Sequence, residues 1–415
     1  MNECNVSKSD FGTGVAQCQE TSGEANMNYA NSRSLWAFLF TVSAVTFSAS
    51  SASAVFQGDE FYENSSGTPI IRLLQGAKSS IDIETYEMDD PAVDREIRAA
   101  LGRGVKLNII QESSPVGASC HAFGGSTSAS SQTPACIRQQ DLVNFVTSHG
   151  GQYVPFSKSL CGKPGSRCYE HGKIAIFDNS TAFLSTGNFN ATSLCDVAAG
   201  PKNCDRDYTL LSRDTNVINS LQTVFNNDLA GQASNLLNLP STRVTVSPES
   251  MKPIVDFIGS AKSTLQIETQ YLKDPTMNQA IIDAAKRGVN VTVMVSSACS
   301  FGIPKGGEVT KWNDTYSSFD SAGIKTRIFD GNIKVGGLKG YLHAKAIIVD
   351  SVHAWIGSVN GSTTALTDNR EFGMFIDDTN LISKLNQYVS SDFASTQGES
   401  WQDSIVCKYD HGSHP

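Results

Sequence analysis

The sequence is as informative in what it lacks as in what it holds. It has no Cys-x-x-Cys pair and no histidine at zinc-finger spacing, so no metal site is expected. Past residue 54 no stretch has the ~18 successive apolar residues that a membrane span requires, so no later segment is expected to cross a bilayer. Positive charge is also in short supply. Lys and Arg number 32 against 41 Asp and Glu, a formal net charge of -9. That balance argues against a chain that grips long polyanions by bulk charge, and leaves open a small local basic site.

At 415 residues, 40% of them hydrophobic, the chain is long enough for two domains or one large pseudo-symmetric one. Residues 1–26 are polar and without period. Arg33, the apolar run Leu35 to Val42 and a Ser/Ala tract ending Ala52-Ser53-Ala54 follow. These have the order of a secretory signal, and cleavage after Ala54 is the expectation. Of the ten cysteines, Cys4 and Cys18 precede that point, leaving those at 120, 136, 161, 168, 195, 204, 299 and 407. An even number in an exported chain reads as disulfides. The expected pairs are 120–136, 161–168, 195–204 and 299–407. A secreted or periplasmic location follows.

The chain repeats itself. Ile83-Glu84-Thr85, Asp90-Pro91 and Arg103-Gly104-Val105 recur at Ile267-Glu268-Thr269, Asp274-Pro275 and Arg287-Gly288-Val289, each 184 positions later. A self-similarity of this kind governs how the whole fold is read. Each copy reads as helix (70–77; 251–259, after Ser247-Pro248-Glu249 as a cap), strand (80–86; 264–270), amphipathic helix (92–102; 277–287) and apolar strand (105–110; 289–295). Strands alternating with helices predict an α/β fold of two pseudo-symmetric halves, each a mixed sheet flanked by helices. The expected divisions are an N-terminal extension (1–54), a first half (55–238) and a second half (239–415). Insertions at 113–134 and 191–202 in the first half are candidate rims over a site.

The chemistry sits in a second repeat. His171-Gly172-Lys173 runs to Asp178, and His343-Ala344-Lys345 to Asp350, both spelling His-x-Lys-x4-Asp. Asn188 and Asn360 follow at matching distances, then Asp207 and Glu371, each preceded by Arg. On a strand His and Lys of one copy face the same side, while Asp178 and Asp350 have the opposite parity and read as structural. Each half thus carries its own His, Lys, Asn and carboxylate. A carboxylate holding one imidazole nitrogen leaves the other to attack or to donate a proton, and ammonium and amide groups can hold a phosphate. Glu84 and Glu268 also match and read as structural. His121, His149 and His353 have no counterpart in the other half, and His411 and His414 lie in a polar tail.

This doubled motif resembles that of the phospholipase D superfamily over about residues 57 to 395. The first copy departs by having Ser185-Thr186-Gly187-Asn188 and an Asp where the second has Glu371. The resemblance implies two-step phosphodiester cleavage or exchange through a phosphohistidine, with no cofactor and no metal, and with the site between the halves. It assigns His171 as nucleophile and His343 as acid and base. The expected substrate is a phospholipid at a membrane surface, cleaved at its headgroup. Cardiolipin synthase-like transfer is less favoured for want of a membrane segment. A secreted nuclease acting on nucleic acid is the rival, and a catalytically silent binding or toxin-like module a third possibility. No protein partner is implied.

Overall fold

A computed structural model of the chain describes residues 58–63, 67–116, 122–123, 134–163, 165, 167–195, 203–300, 304–331, 340–395 and 399–408. The signal-peptide reading, most of the first insertion, Cys120, His121, His411 and His414 lie outside these residues.

The first half contains β1 (Glu60–Glu63), α1 (Thr68–Gly76), β2 (Ser80–Thr85), α2 (Pro91–Gly102), β3 (Lys106–Gln111), α3 (Pro134–Ser148), β4 (Gln152–Pro155), β5 (Lys173–Phe177), β6 (Thr181–Ser185), α4 (Ala191–Leu194), β7 (Cys204–Arg206), β8 (Tyr208–Ser212) and α5 (Thr215–Leu229). The second contains β9 (Val244–Val246), α6 (Met251–Gly259), β10 (Thr264–Thr269), α7 (Pro275–Lys286), β11 (Asn290–Val295), α8 (Gly307–Ser321), β12 (Lys325–Ile328), β13 (Gly340–Leu342), β14 (Lys345–Val349), β15 (His353–Gly357), α9 (Thr363–Thr367), β16 (Phe372–Ile376), α10 (Thr379–Ser395) and α11 (Trp401–Ile405).

The recurring Asp-Pro and Arg-Gly pairs explain why the same elements form twice. Asp90 and Asp274 are N-caps: their carboxylates accept from Ala92 and Val93, and from Met277, and a proline at the first turn needs no partner for its missing N–H. At the other end Gly104 and Gly288 take φ of +84° and +90°, which reverses the chain into the next strand. The arginine before each glycine reaches back to the end of the preceding helix, Arg103 to the Leu74 carbonyl at 2.7 Å and Arg287 to that of Gly259 at 2.9 Å. Ser247-Pro248-Glu249 does not cap α6, whose N-cap is Ser250 with no side-chain bond. Ser247 instead donates to the Ala365 carbonyl.

Two seven-stranded mixed sheets result, in the orders β1-β8-β6-β5-β2-β3-β4 and β9-β16-β15-β14-β10-β11-β12. Strand for strand they are the same sheet, parallel from β2 to β4 and from β10 to β12, antiparallel elsewhere. The fold is therefore α/β in two pseudo-repeated halves. Alternate residues of each sheet face different cores. Ile81 and Ile83 pack with α1, α2 and α3, and Leu265 and Ile267 with α6, α7 and α8. A third apolar cluster joins the halves: Ile174 and Ile176 of β5, Ala346 and Ile348 of β14, and buried faces of α5 and α10. The halves are also sewn together by backbone, because β13 pairs in parallel with β7.

Three disulfides are described, Cys161–Cys168, Cys195–Cys204 and Cys299–Cys407, each as expected. Cys136 is disulfide-bonded as well. Among the described residues no helix is long and apolar enough to cross a membrane.

Candidate active site

Strands β5 and β14 begin at the lysines, so each histidine sits just before its strand, on the segment that crosses to the other half. His171 N–H donates to the Arg370 carbonyl at 2.8 Å, and His343 N–H to that of Arg206 at 3.1 Å. The residue after each arginine is the carboxylate. Side-by-side pairing therefore delivers it to the histidine of the opposite half. His171 Nδ1 lies 2.8 Å from Glu371, and His343 Nδ1 3.0 Å from Asp207. This corrects the grouping of each histidine with the acid of its own half. The acids belong crosswise, because the partner is set by the strand pairing between halves and not by order along the chain.

The two arginines lock this crossing. Arg370 pairs with Asp228 of α5, Nε to Oδ2 at 2.7 Å and Nη2 to Oδ1 at 3.1 Å. Arg206 pairs with Asp392 of α10 at 2.6 and 2.8 Å. Both arginines are buried, and a fork-to-fork pair fixes orientation as well as distance.

Burial and charge then set the protonation of the site. Burial, with the lysine ammoniums adding to it, holds His171 down to about 4 and His343 down to about 3, against the opposing pull of Glu371 and Asp207. Both rings are neutral near pH 7. A neutral ring beside a carboxylate must donate from Nδ1, so each presents an unprotonated Nε2. Burial also lowers Lys173 to about 7, helped by the charge of Lys345, and Lys345 itself to about 8. Each Nζ donates to the backbone carbonyl of its own histidine at 2.5 Å, and Lys345 also reaches the Thr186 carbonyl across the interface at 3.3 Å.

Asn188 and Asn360 each have a buried Oδ1 that no hydrogen bond satisfies. Asn188 donates weakly to Glu87 at 3.5 Å, and Asn190 donates to the same carboxylate at 2.9 Å. Glu87 and its counterpart Tyr271, which bonds Asn360 and Ser362, escaped the sequence reading. The 184-residue offset of the flanking Ile-Glu-Thr and Asp-Pro pairs is the signal that would have aligned them. Gly187 is another such residue: a Cβ there would stand 2.3 Å from Asp207 Oδ2, so the carboxylate takes the space a side chain would fill.

Asp178 and Asp350 are outside this constellation. Asp178 accepts from the N–H groups of Lys78, Ser79 and Ser80 at 2.7–3.1 Å and from Ser79 Oγ at 2.8 Å. Asp350 does the same with Lys262, Ser263 and Thr264. Each ties the end of its strand to the start of β2 or β10. Ligand-type atoms of Asp205, Asp207 and His343 lie within 4.8 Å of one another. Asp207 is already bonded to His343 and to Thr186 at 2.6 Å, and Asp205 stands beside that pair. Of the unmatched histidines, His149 bonds the Phe145 carbonyl and His353 pairs with Asp377, both exposed.

Two like α/β halves that share one composite His–Lys–Asn–carboxylate site define a class of duplicated-half proteins. The chain belongs to the phospholipase D superfamily: the family model described as cardiolipin synthase, PLD-like domain matches residues 70–229 and again 254–393. A cardiolipin synthase of Clostridium perfringens (strain SM101 / Type A) is 25% identical over 356 residues, 76% of this chain and 66% of the relative. Cardiolipin synthase A of Buchnera aphidicola subsp. Acyrthosiphon pisum (strain APS) is 34% identical over 140 residues, 32% of this chain and 26% of the relative. The chain thus spans at most 66% of the length of these two relatives. The solved structure of phosphatidylserine synthase from Haemophilus influenzae Rd KW20 shares the fold, with a TM-score of 0.57 and 14% identity over 83% of this chain and 88% of that one.

Proposed function

We propose that the chain exchanges phosphodiesters at the headgroup of a glycerophospholipid through a phosphohistidine, passing the phosphatidyl group to water or to an alcohol. The observation that carries this reading is the crossed pairing. Each imidazole is fixed by a carboxylate from the other half, and both offer a bare Nε2 beside two buried ammoniums.

In this reading a phosphodiester anion binds Lys173, Lys345 and the amides of Asn188 and Asn360, which stabilise the charge shifting onto its non-bridging oxygens. The bound anion restores the charge that burial has weakened on both lysines. The anion also favours the charged form of His343, which takes up a proton on Nε2 in the complex. His171 Nε2 attacks phosphorus; the bond to the headgroup oxygen breaks, and His343 delivers that proton to it. Water or an acceptor alcohol then gives its proton to His343 and attacks phosphorus, and the P–N bond breaks. His171 is the better placed to attack, its side chain being 14% exposed against 4% for His343. Phospholipid is favoured over nucleic acid because the family description and both sequence relatives carry the name cardiolipin synthase. Export is part of the proposal, supported by the Ala-x-Ala tract and by disulfides that suit an oxidising compartment. N-terminal sequencing of the protein recovered outside the cytoplasm tests it, with Val55 expected as first residue.

The test of the chemistry is rapid quench with labelled phosphatidyl-para-nitrophenol in the presence of chelator. Label is expected on His171 and is lost in His171→Ala. His343→Ala still traps label, because this leaving group needs no proton. Label on His343 that persists in His171→Ala reverses the roles. Turnover that requires an added divalent ion, or of single-stranded DNA but no lipid, overturns the reading.

A further inference from the structure

The halves differ where their orienting carboxylates are built. Asn369 stands two residues before Glu371, and Asp205 two residues before Asp207. Asn369 uses both ends of its amide: Oδ1 accepts from the Tyr169 N–H at 3.0 Å, and Nδ2 donates to Glu371 Oε1 at 2.9 Å. Asp205 as a carboxylate has nothing to donate to Asp207. It is buried, 3% exposed, accepts from Ser193 Oγ at 3.2 Å, and lies within 4.8 Å of both Asp207 and His343. Asp207 finds a neutral donor in Thr186 instead. Both orienting acids therefore have one neutral donor, and what remains different is an extra acid beside His343.

We infer that Asp205 is a positioning residue that divides the labour between the histidines, biasing His343 toward carrying protons and leaving His171 to attack phosphorus. The inference rests on the phosphodiester-exchange reading above. Its physical basis is that a second carboxylate next to an imidazole favours the charged ring. His343 is the more deeply buried of the two rings and the harder to protonate. Without extra negative charge it rarely holds the proton it must deliver. The charged and titratable groups around Asp205 are Asp207 on its own segment, Lys345 of β14, Glu87 after β2, and Tyr341 opposite it in β13. Lys173 adds its charge to those acting on His343. Burial and then the charge of Asp207 raise Asp205 to about 7. Below that pH it is neutral; above it, two negative charges face the imidazole. The proton belongs to the Asp205–Asp207–His343 set rather than to one member. His171 has no equivalent, since the group beside Glu371 is an uncharged amide.

The experiment compares wild type, Asp205→Asn and Asn369→Asp in kcat/KM against pH, on vesicles of phosphatidylethanolamine and of phosphatidyl-para-nitrophenol. Histidine titrations are followed by NMR. In Asp205→Asn the alkaline limb for phosphatidylethanolamine is expected to fall by about one pH unit, a loss of about tenfold above the limb. The limb for the activated lipid moves less. The His343 ring signals of the wild type report an ionisation near pH ~7, that of Asp205, which Asp205→Asn loses. In Asn369→Asp the His171 titration rises, and activity on both lipids falls on the acid side. Superimposable profiles for wild type and Asp205→Asn on phosphatidylethanolamine, or equal shifts on both lipids, overturn the inference. If the wild type cleaves neither lipid, the phosphodiester reading fails separately. The His343 signals then decide: a step near pH ~7 that Asp205→Asn loses supports the inference, and its absence in the wild type or persistence in the variant sinks it. Should Asp205→Asn not fold, the His171 titration of Asn369→Asp makes the same decision.

Discussion

Each imidazole at the centre of this molecule answers to a carboxylate in the opposite half, and the two carboxylates should fail differently when changed. Glu371→Gln replaces the carboxylate that accepts from His171 Nδ1–H with an uncharged amide. Asn369 holds the amide oxygen, so its NH2 faces the ring and imposes the wrong tautomer, and attack on phosphorus suffers whatever the leaving group. A loss of about 100-fold or more is expected with ethanolamine and para-nitrophenol esters alike. Asp207→Asn touches His343, so its cost, ~100- to 10,000-fold for the ethanolamine ester, should largely vanish with the activated one. Steady-state kinetics on both lipids check this pair. The eight polar groups of the candidate site could be read in the sequence, because they recur in the same order in both halves. Their crossed partnership could not. It depends on β13 lying against β7 and on Glu170 lying against Arg370, contacts between segments whose adjacency no local pattern encodes. Glu87, Tyr271 and Asp205 went unread for a related reason: each is a place where the two copies disagree, and a search for repeats discards disagreements.

The eight helices and strands placed from the sequence agree to within about two residues, because the apolar periods and the Arg-Gly and Asp-Pro punctuation appear twice. The exception, Ser247-Pro248-Glu249, has the composition of a cap, but burial gave its serine a different acceptor. Asp350 shows what the last letter of the motif does for its strand. Burial opposes its charge, yet the N–H groups of Thr264, Ser263 and Lys262 and the Ser263 hydroxyl outweigh this and pull its carboxyl down to about 2. The folded value lies below the unfolded one, so the stabilisation is whole above about pH 4 and is lost as pH falls through about 2. Asp350→Asn should cost about 1–2 kcal/mol at neutral pH, discounted for exposure, and nothing near pH 2. Urea melts across that range measure it. The Cys299–Cys407 bridge, which spans 108 positions and fastens α11 to the end of β11, contributes about 3–5 kcal/mol by restricting the unfolded chain. A double Cys→Ser variant should show that loss in its denaturant midpoint.

Across the whole molecule, the seam between halves holds acids that keep their protons. Burial and then Asp392 raise Glu268 to about 8, and Tyr208 donates to it at 2.5 Å. On the other side of the pseudo-twofold, burial raises Glu170 to about 8, and raises Glu84 well above its usual range with the help of Glu170 and Asp228. Folded values above the unfolded ones mean stability that is complete below about pH 4 and is lost as pH climbs through about 8. Glu268→Gln, which mimics the protonated acid, should flatten that alkaline decline and leave the variant the more stable of the two above pH ~8. Thermal melts of both proteins between pH ~5 and ~9 test this. Glu84 and Glu268, visible in the sequence as a matched pair, owe their protons to this seam.

The exchange of carboxylates has a consequence for ancestry and for engineering. A solitary half carries a histidine with no acid to hold it and an acid with no histidine to hold. A single-copy forerunner could have assembled a working centre only by embracing a twin, and fusing the two genes would have made that embrace permanent. The same logic makes a cut in the connector between α5 and β9 a genetic switch: two silent fragments, produced separately, should regain turnover only on meeting.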